Sequence, residues 1–186
     1  GTALVEDNVS LLEEYVAATK HKTQVMYVHS NNEDVGGADF CLYRLAKEFT
    51  DKGFLISSAL RLESSIVNEY RKSGIPVFSK KFSRPQLSRG LVSIALQPFN
   101  SLLDIIYFIR LFKAQTPDIV HVNDLYDFAP AIAARLLQIK VVYHIRMIRL
   151  NRFEKILFSN IVDLFSDHSV SVSTPVRDYY FKDPKF

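Results

Sequence analysis

Six apolar runs of strand length, each separated from the next by a segment of helical period, constrain this chain more than any other feature. The pattern predicts strands over 24–30 (QVMYVHS), 54–60 (FLISSAL), 75–79 (IPVFS), 118–123 (DIVHVN), 140–146 (KVVYHIR) and 168–173 (HSVSVS). Between them, apolar residues recurring at three and four positions predict helices over 38–52, 63–72, 99–115, 125–138 and 152–165, with a short one beginning near Pro175. Gly53 and Gly74 stand where the first two of these helices should stop. Val/Ile-rich strands alternating with helices imply an α/β fold: a doubly wound, mainly parallel, Rossmann-like sheet of about six strands with helices on both faces. Ligands of such a sheet bind beyond the carboxyl ends of the strands, near the switch in strand order.

At 186 residues the chain fits one such domain. An amphipathic pattern over 5–20 adds a helix before the first strand, giving an N-terminal extension over 1–23 and the α/β domain over 24–186. A hydrophobic fraction of 48% excludes a disordered chain. A net charge of +3, from 23 basic and 20 acidic residues, is too small to call for a nucleic-acid partner. Cys41 is the only cysteine, so neither an intrachain disulfide nor a Cys-rich metal site is available. It falls among apolar neighbours on a helix and reads as a packing residue. Gly1 reads as a processing scar, and no signal-peptide pattern follows it. The longest apolar stretch, 99–112, is interrupted by Asp104 and Arg110, so the expectation is a cytoplasmic protein.

The polar residues at the strand ends are the candidates for chemistry. Gly36 and Gly37 precede a helix, where backbone N–H groups can approach an anion closely; the same pair could instead serve a tight turn needing positive φ. His121, Asn123 and Asp124 end the fourth strand, with His121 and Asn123 on one face. Alternatively, His121 is a buried, hydrogen-bonded histidine and Asp124 caps a helix starting at Leu125. His144 and Arg146 end the fifth strand, and the Arg146 guanidinium suits phosphate or carboxylate. His29 and Ser30 end the first. No metal spacing, G-x-G-x-x-G, P-loop or G-x-S-x-G motif is present. Lys80, Lys81, Arg84 and Arg89 follow the third strand with Phe82 and Leu87 interleaved, a mixture suited to an anionic acceptor or membrane surface.

Two stretches, QVMYVHSNNEDVGGADFCLYRLAKEFTDKGF and PDIVHVNDLYDFAPAIAARLLQIKVVYHIR, together resemble the family 4 retaining glycosyltransferases of the GT-B fold, and HSVSVSTPVRDYYF resembles the family's segment before the crossing into its donor domain. The resemblance covers about 24–181. It implies an acceptor-binding N-terminal domain of an enzyme that moves a sugar from a nucleotide-sugar donor to a glycan or lipid-linked acceptor, with no cofactor. By the same resemblance Gly36 and Gly37 approach the donor diphosphate, His121 and Asn123 are the catalytic candidates, and His29, Ser30, Asp124, His144 and Arg146 line the acceptor or sugar side. Some family members carry a histidine where this chain has Asn123. The family's nucleotide-sugar site lies on a C-terminal donor domain that these residues lack, so this chain alone should transfer no sugar. A peripheral position at the inner membrane face is the matching expectation for location. The competing reading is a non-catalytic Rossmann-like module that binds a nucleotide or phosphorylated small molecule.

Overall fold

A computed structural model describes residues 22–30, 35–62, 64–83, 91–146, 148 and 152–181. The helix expected over 5–20, and Arg84 and Arg89, lie outside these residues. The described chain forms strands β1 (Gln24–His29), β2 (Leu55–Leu60), β3 (Val77–Ser79), β4 (Ile119–Val122), β5 (Lys140–Ile145) and β6 (His168–Ser171). It forms helices α1 (Gly37–Asp51), α2 (Ser65–Lys72), α3 (Leu91–Gln115), α4 (Phe128–Leu136), α5 (Arg152–Phe165) and α6 (Thr174–Tyr180). All six strands pair in parallel in the order β3-β2-β1-β4-β5-β6. This is the expected doubly wound sheet. The chain winds outward from β1 to β3, then returns beside β1 as β4, so the switch point lies between β1 and β4.

The central strands β1, β4 and β5 bury both faces, which is why their runs read as largely apolar rather than alternating, while the edge strands β3 and β6 stay at most half-buried. Met26, Val28, Val120, Val122, Tyr143 and Ile145 pack with Phe108, Phe112, Ala131 and Phe158 of α3, α4 and α5. The intervening residues Val25, Tyr27, Ile56, Leu60 and Ile119 pack with Leu42, Phe49, Val67 and Tyr70 of α1 and α2.

Helix α1 stops as its glycine requires. Gly53 takes φ 95°; its N–H reaches the Thr50 carbonyl at 3.0 Å, and the Phe54 N–H reaches the Phe49 carbonyl at 3.1 Å. The Phe49 and Phe54 rings meet edge-on, 5.0 Å between centroids, as this C-terminal motif favours. Gly74 repeats the left-handed turn after α2, at φ 72°.

Two helix starts differ from expectation by three residues or more. Helix α3 begins at Leu91, eight residues before the expected Phe99, and runs through Pro98. The proline removes one N–H from the ladder, and the helix tolerates it with Pro98 on an exposed turn. Helix α4 begins at Phe128, not Leu125. Starting at Phe128 places Pro130 within the first turn, where N–H groups have no intrahelical partner; a start at Leu125 would have put it in the interior. Asp124 therefore caps no helix. Its carbonyl accepts the Asp127 N–H at 3.1 Å and its Oδ1 accepts the Tyr126 N–H at 3.3 Å, closing a turn that drives Leu125 and Tyr126 into the core.

The packing expected of Cys41 is also overturned. Cys41 is exposed on α1, as is Phe40 beside it, because the buried stripe of this helix runs through Leu42, Ala46 and Phe49. Phe82, expected among surface cations, is buried against the Phe108 ring of α3 instead.

Candidate functional site

Register assembles the site. Tyr27, His121 and Val142 stand side by side on β1, β4 and β5. Two residues further on, where the strands end, His29, Asn123 and His144 occupy the same face, with Arg146 one step beyond His144. Parallel strands lie about 4.8 Å apart, so residues far apart in sequence, from His29 to Arg146, form one polar row at the switch point.

Three connected groups make up this row. In the first, Asp39, in the opening turn of α1, ties the glycine loop to the sheet. Its Oδ2 accepts the Gly36 N–H at 2.8 Å, and its Oδ1 lies 3.1 Å from His29 Nε2. Burial pushes the Asp39 carboxyl up, but the His29 and Gly36 hydrogen bonds outweigh it and hold its pKa below the ordinary value.

The second group spans β4 and β5. Arg146 Nε donates to Asn123 Oδ1 at 2.8 Å, and Arg146 also approaches His144 Nδ1 at 3.4 Å. A guanidinium can only donate, so His144 Nδ1 accepts and its proton resides on Nε2. His121 Nε2 lies 3.3 Å from the same Nδ1 and must be the donor there. The His121 ring rests on Tyr27, 4.8 Å between centroids. Burial, then the Arg146 charge, pushes His121 down to about 3. Burial, His121 and Arg146 hold His144 well below its usual range. Both imidazoles are therefore neutral at physiological pH. His121 takes the buried, hydrogen-bonded role; as a histidine titrating near 3, it is unsuited to proton transfer near neutrality.

The third group closes the β1 end. Ser30 N–H donates to Asp127 Oδ2 at 2.9 Å. Burial, then the neighbouring Asp124, pushes the Asp127 carboxyl up to about 7. Among the described residues, His29 Nδ1, Ser30 Oγ, Asn123 Nδ2 and Asp127 Oδ1 are buried without a hydrogen-bond partner. These four hydrogen-bonding atoms lie beneath the strand ends at the switch point, enclosed by their neighbours.

A groove of about 510 Å³ opens beside this row, lined by Gly37, Phe40, Arg44, Leu45 and His144. It brings the glycine loop and the β5 end to one space. The glycines there do not serve a left-handed turn: Gly36 is extended at φ −105° and ψ 179°, and among the described residues the positive-φ glycines are Gly53 and Gly74. A Cβ added at Gly37 would meet nothing within 4 Å. Lys80 and Lys81 stand apart, after β3 at the far edge of the sheet, with Lys80 Nζ 4.0 Å above the Tyr107 ring of α3.

Sequence reasoning missed Asp39 and Asp127. Both had a local signal. Asp39 is three residues past the helix-capping Gly36, the spacing of a reciprocal cap. Asp127 precedes Phe-Ala-Pro, where an aspartate starts a helix whose proline falls in the first turn.

A family model described as Glycosyltransferase Family 4 matches residues 35–183. No curated protein matches the chain. Among solved structures, Anabaena HepE in complex with UDP and glucose superposes with a TM-score of 0.64 at 17% identity, covering 86% of this chain and 41% of HepE. Acinetobacter baumannii MurG superposes at 0.60 with 19% identity, covering 83% of this chain and 42% of MurG. A UDP-N-acetylglucosamine 2-epimerase superposes equally well, at 0.60 with 18% identity, covering 89% of this chain and 46% of the epimerase. At such identities the likeness is one of fold, shared by proteins of different activity. This chain spans less than half the length of each.

Proposed function

Because this chain belongs to Glycosyltransferase Family 4, we propose that it is the acceptor-side half of a two-domain GT-B enzyme that moves a sugar from a nucleotide-sugar to an acceptor glycan or lipid-linked acceptor. The observation that carries this reading is the open space before Gly37. A glycine with ordinary φ and room for a side chain is not required by the fold, whereas a helix N-terminus without a Cβ lets a diphosphate reach the backbone N–H groups. HepE, whose structure holds UDP and glucose, supports a nucleotide-sugar as the donor class. The donor domain would come from outside these residues.

The strand-end row supplies the remaining roles. Arg146, held by Asn123, offers its guanidinium to an anion. Asn123 Nδ2, Ser30 Oγ and His29 Nδ1 offer hydrogen bonds to hydroxyls of the sugar or acceptor. Asp124, closing its turn, positions Asp127 rather than touching a ligand. In this reading this half binds and orients, while bond-making depends on its partner domain. A stand-alone nucleotide-binding module is not favoured, since the family match extends through nearly the whole described domain. The proposed setting is cytoplasmic, peripheral at the inner membrane face.

Substituting Gly37 separates fold from function. In the full-length enzyme, Gly37→Val should lower kcat/KM for the donor on the order of 10–100-fold, because a side chain blocks contacts made to the diphosphate. In the isolated chain, Gly37→Ala should raise stability by roughly 0.5–1 kcal/mol, since the backbone is already compatible with alanine and the unfolded chain loses freedom. Steady-state kinetics beside urea unfolding test both. Unchanged donor kinetics in a folded Gly37→Val enzyme would remove the diphosphate role. The purified chain alone should transfer no sugar, and measurable turnover by it would overturn the half-enzyme reading.

A further inference from the structure

The outer face of α3 carries a pattern that neither the fold nor the strand-end site uses. Phe99, Leu102, Leu103 and Ile106 are exposed, at 61%, 53%, 47% and 39% of their surfaces. Their spacing of three, one and three places them in one stripe of the helix. The same stripe continues through exposed Arg110 and Lys113. Exposed Lys80 joins it from the side, with Nζ 4.0 Å above the Tyr107 ring, and exposed Lys81 follows. The helix has a single acidic residue, Asp104, and it is buried, accepting the Ser83 N–H at 2.7 Å. The described outer face of α3 is thus apolar at one end, cationic at the other, and free of carboxylates.

We propose that this face of α3 docks the protein on an anionic lipid bilayer, lying in the interface rather than crossing it. The apolar residues enter the acyl boundary, and Arg110, Lys113, Lys80 and Lys81 meet the headgroups. Among the described residues, no helix is long and apolar enough to cross a membrane. Charge selects the occupant: a second copy of the same face would set cation against cation, whereas a negatively charged surface complements all four. A crossover helix starts at the carboxyl ends of the strands and runs back. Phe99 to Ile106 therefore lie nearer the ligand edge than Arg110 and Lys113, on the side of the sheet opposite the helices α1 and α2. The surface stands on its own observations, independent of the transfer activity proposed above.

Co-sedimentation of the protein with vesicles tests it, using phosphatidylcholine alone or with about one third phosphatidylglycerol, at low and moderate salt. Binding should require the anionic lipid and weaken as salt rises. Leu102→Ser with Leu103→Ser should weaken binding at least tenfold at either salt. Arg110→Ser with Lys113→Ser should weaken it and flatten the salt dependence. Lys47→Ser with Lys72→Ser, exposed cations on α1 and α2, removes the same charge elsewhere and should change binding little. All six positions are exposed, so thermal melts of the variants should match the wild type. Three results would overturn the proposal. One is no binding to anionic vesicles at low salt. Another is equal loss from both charge pairs, which would make attraction a matter of net charge. The last is self-association abolished by the leucine pair without vesicle binding, which would assign the face to a second copy.

Discussion

Acidifying the protein from pH 6.5 to 4.5 should cost it stability, well before its carboxylates are fully protonated. The cause is the neutral pair His121 and His144. Both are buried, and their folded pKa values lie below that of an ordinary histidine, His121 at about 3. A depressed histidine pKa means that, as pH falls below about 6.5, the unfolded chain takes up protons that the native protein refuses. Stability then drops by about 1.4 kcal/mol per pH unit for each histidine. Over these two pH units His121 alone loses about 2 kcal/mol, Asp127, which titrates in the opposite sense, returns a similar amount, and His144 adds a loss of the same sign as His121. Asp39 and Asp167, whose carboxyls are held below their ordinary values, add losses only at lower pH. Urea unfolding across this range measures the slope. His121→Gln and His144→Gln should each remove about one proton's worth of it. If the doubly substituted protein loses stability between pH 6.5 and 5 as steeply as the wild type, the two imidazoles are not the acid-labile groups.

Replacing Asp127 with asparagine should make the protein increasingly more stable than the wild type as pH rises from 4 to 7. Burial, then Asp124, pushes the Asp127 pKa up to about 7. The native protein therefore keeps a proton that the unfolded chain has already lost above about pH 4. A raised carboxyl pKa contributes stability fully below the unfolded value and loses it as pH climbs to the folded one. That loss is at most about 4 kcal/mol by pH 7. Asparagine never ionises, and its amide oxygen can still accept the Ser30 N–H that now reaches Asp127 at 2.9 Å. Asparagine also serves well at a helix start. The difference between variant and wild type should grow across pH 4–7 and level off above it. Parallel stability curves across that range would mean that the buried carboxyl is ionised throughout.

Much of this architecture was legible in the chain. The six strand-length runs all became strands, the helix expected over 152–165 formed with those bounds, and Gly53 and Gly74 took the left-handed turns their positions implied. The family resemblance, drawn on the Gly-Gly-Ala loop and the D-I-V-H strand, agrees with the family match. The misread helix starts share a feature. Helix α3 runs through Pro98 on an exposed turn, and α4 starts at Phe128 so that Pro130 falls in its first turn. One proline bears on each of these boundaries.

The candidate site was legible only as a set of strand ends. Sequence placed His29, Asn123, His144 and Arg146 at the right edge, because strand periodicity and loop position are local properties acting over three or four residues. It did not reveal that Asp39 ties the glycine loop to His29, that Arg146 is held by Asn123, or that Asp127 lies beneath Ser30. These contacts join residues 3 to 97 apart, and strand order decides the longest of them. Protonation follows the same division. Sequence names the histidines and aspartates, but whether each is charged depends on how completely the packed sheet and helices exclude water from it. Capping, periodicity and glycine geometry were thus determined by the chain itself, while partnering and charge at the switch point were decided by tertiary structure, since burial is a property of the assembled layers.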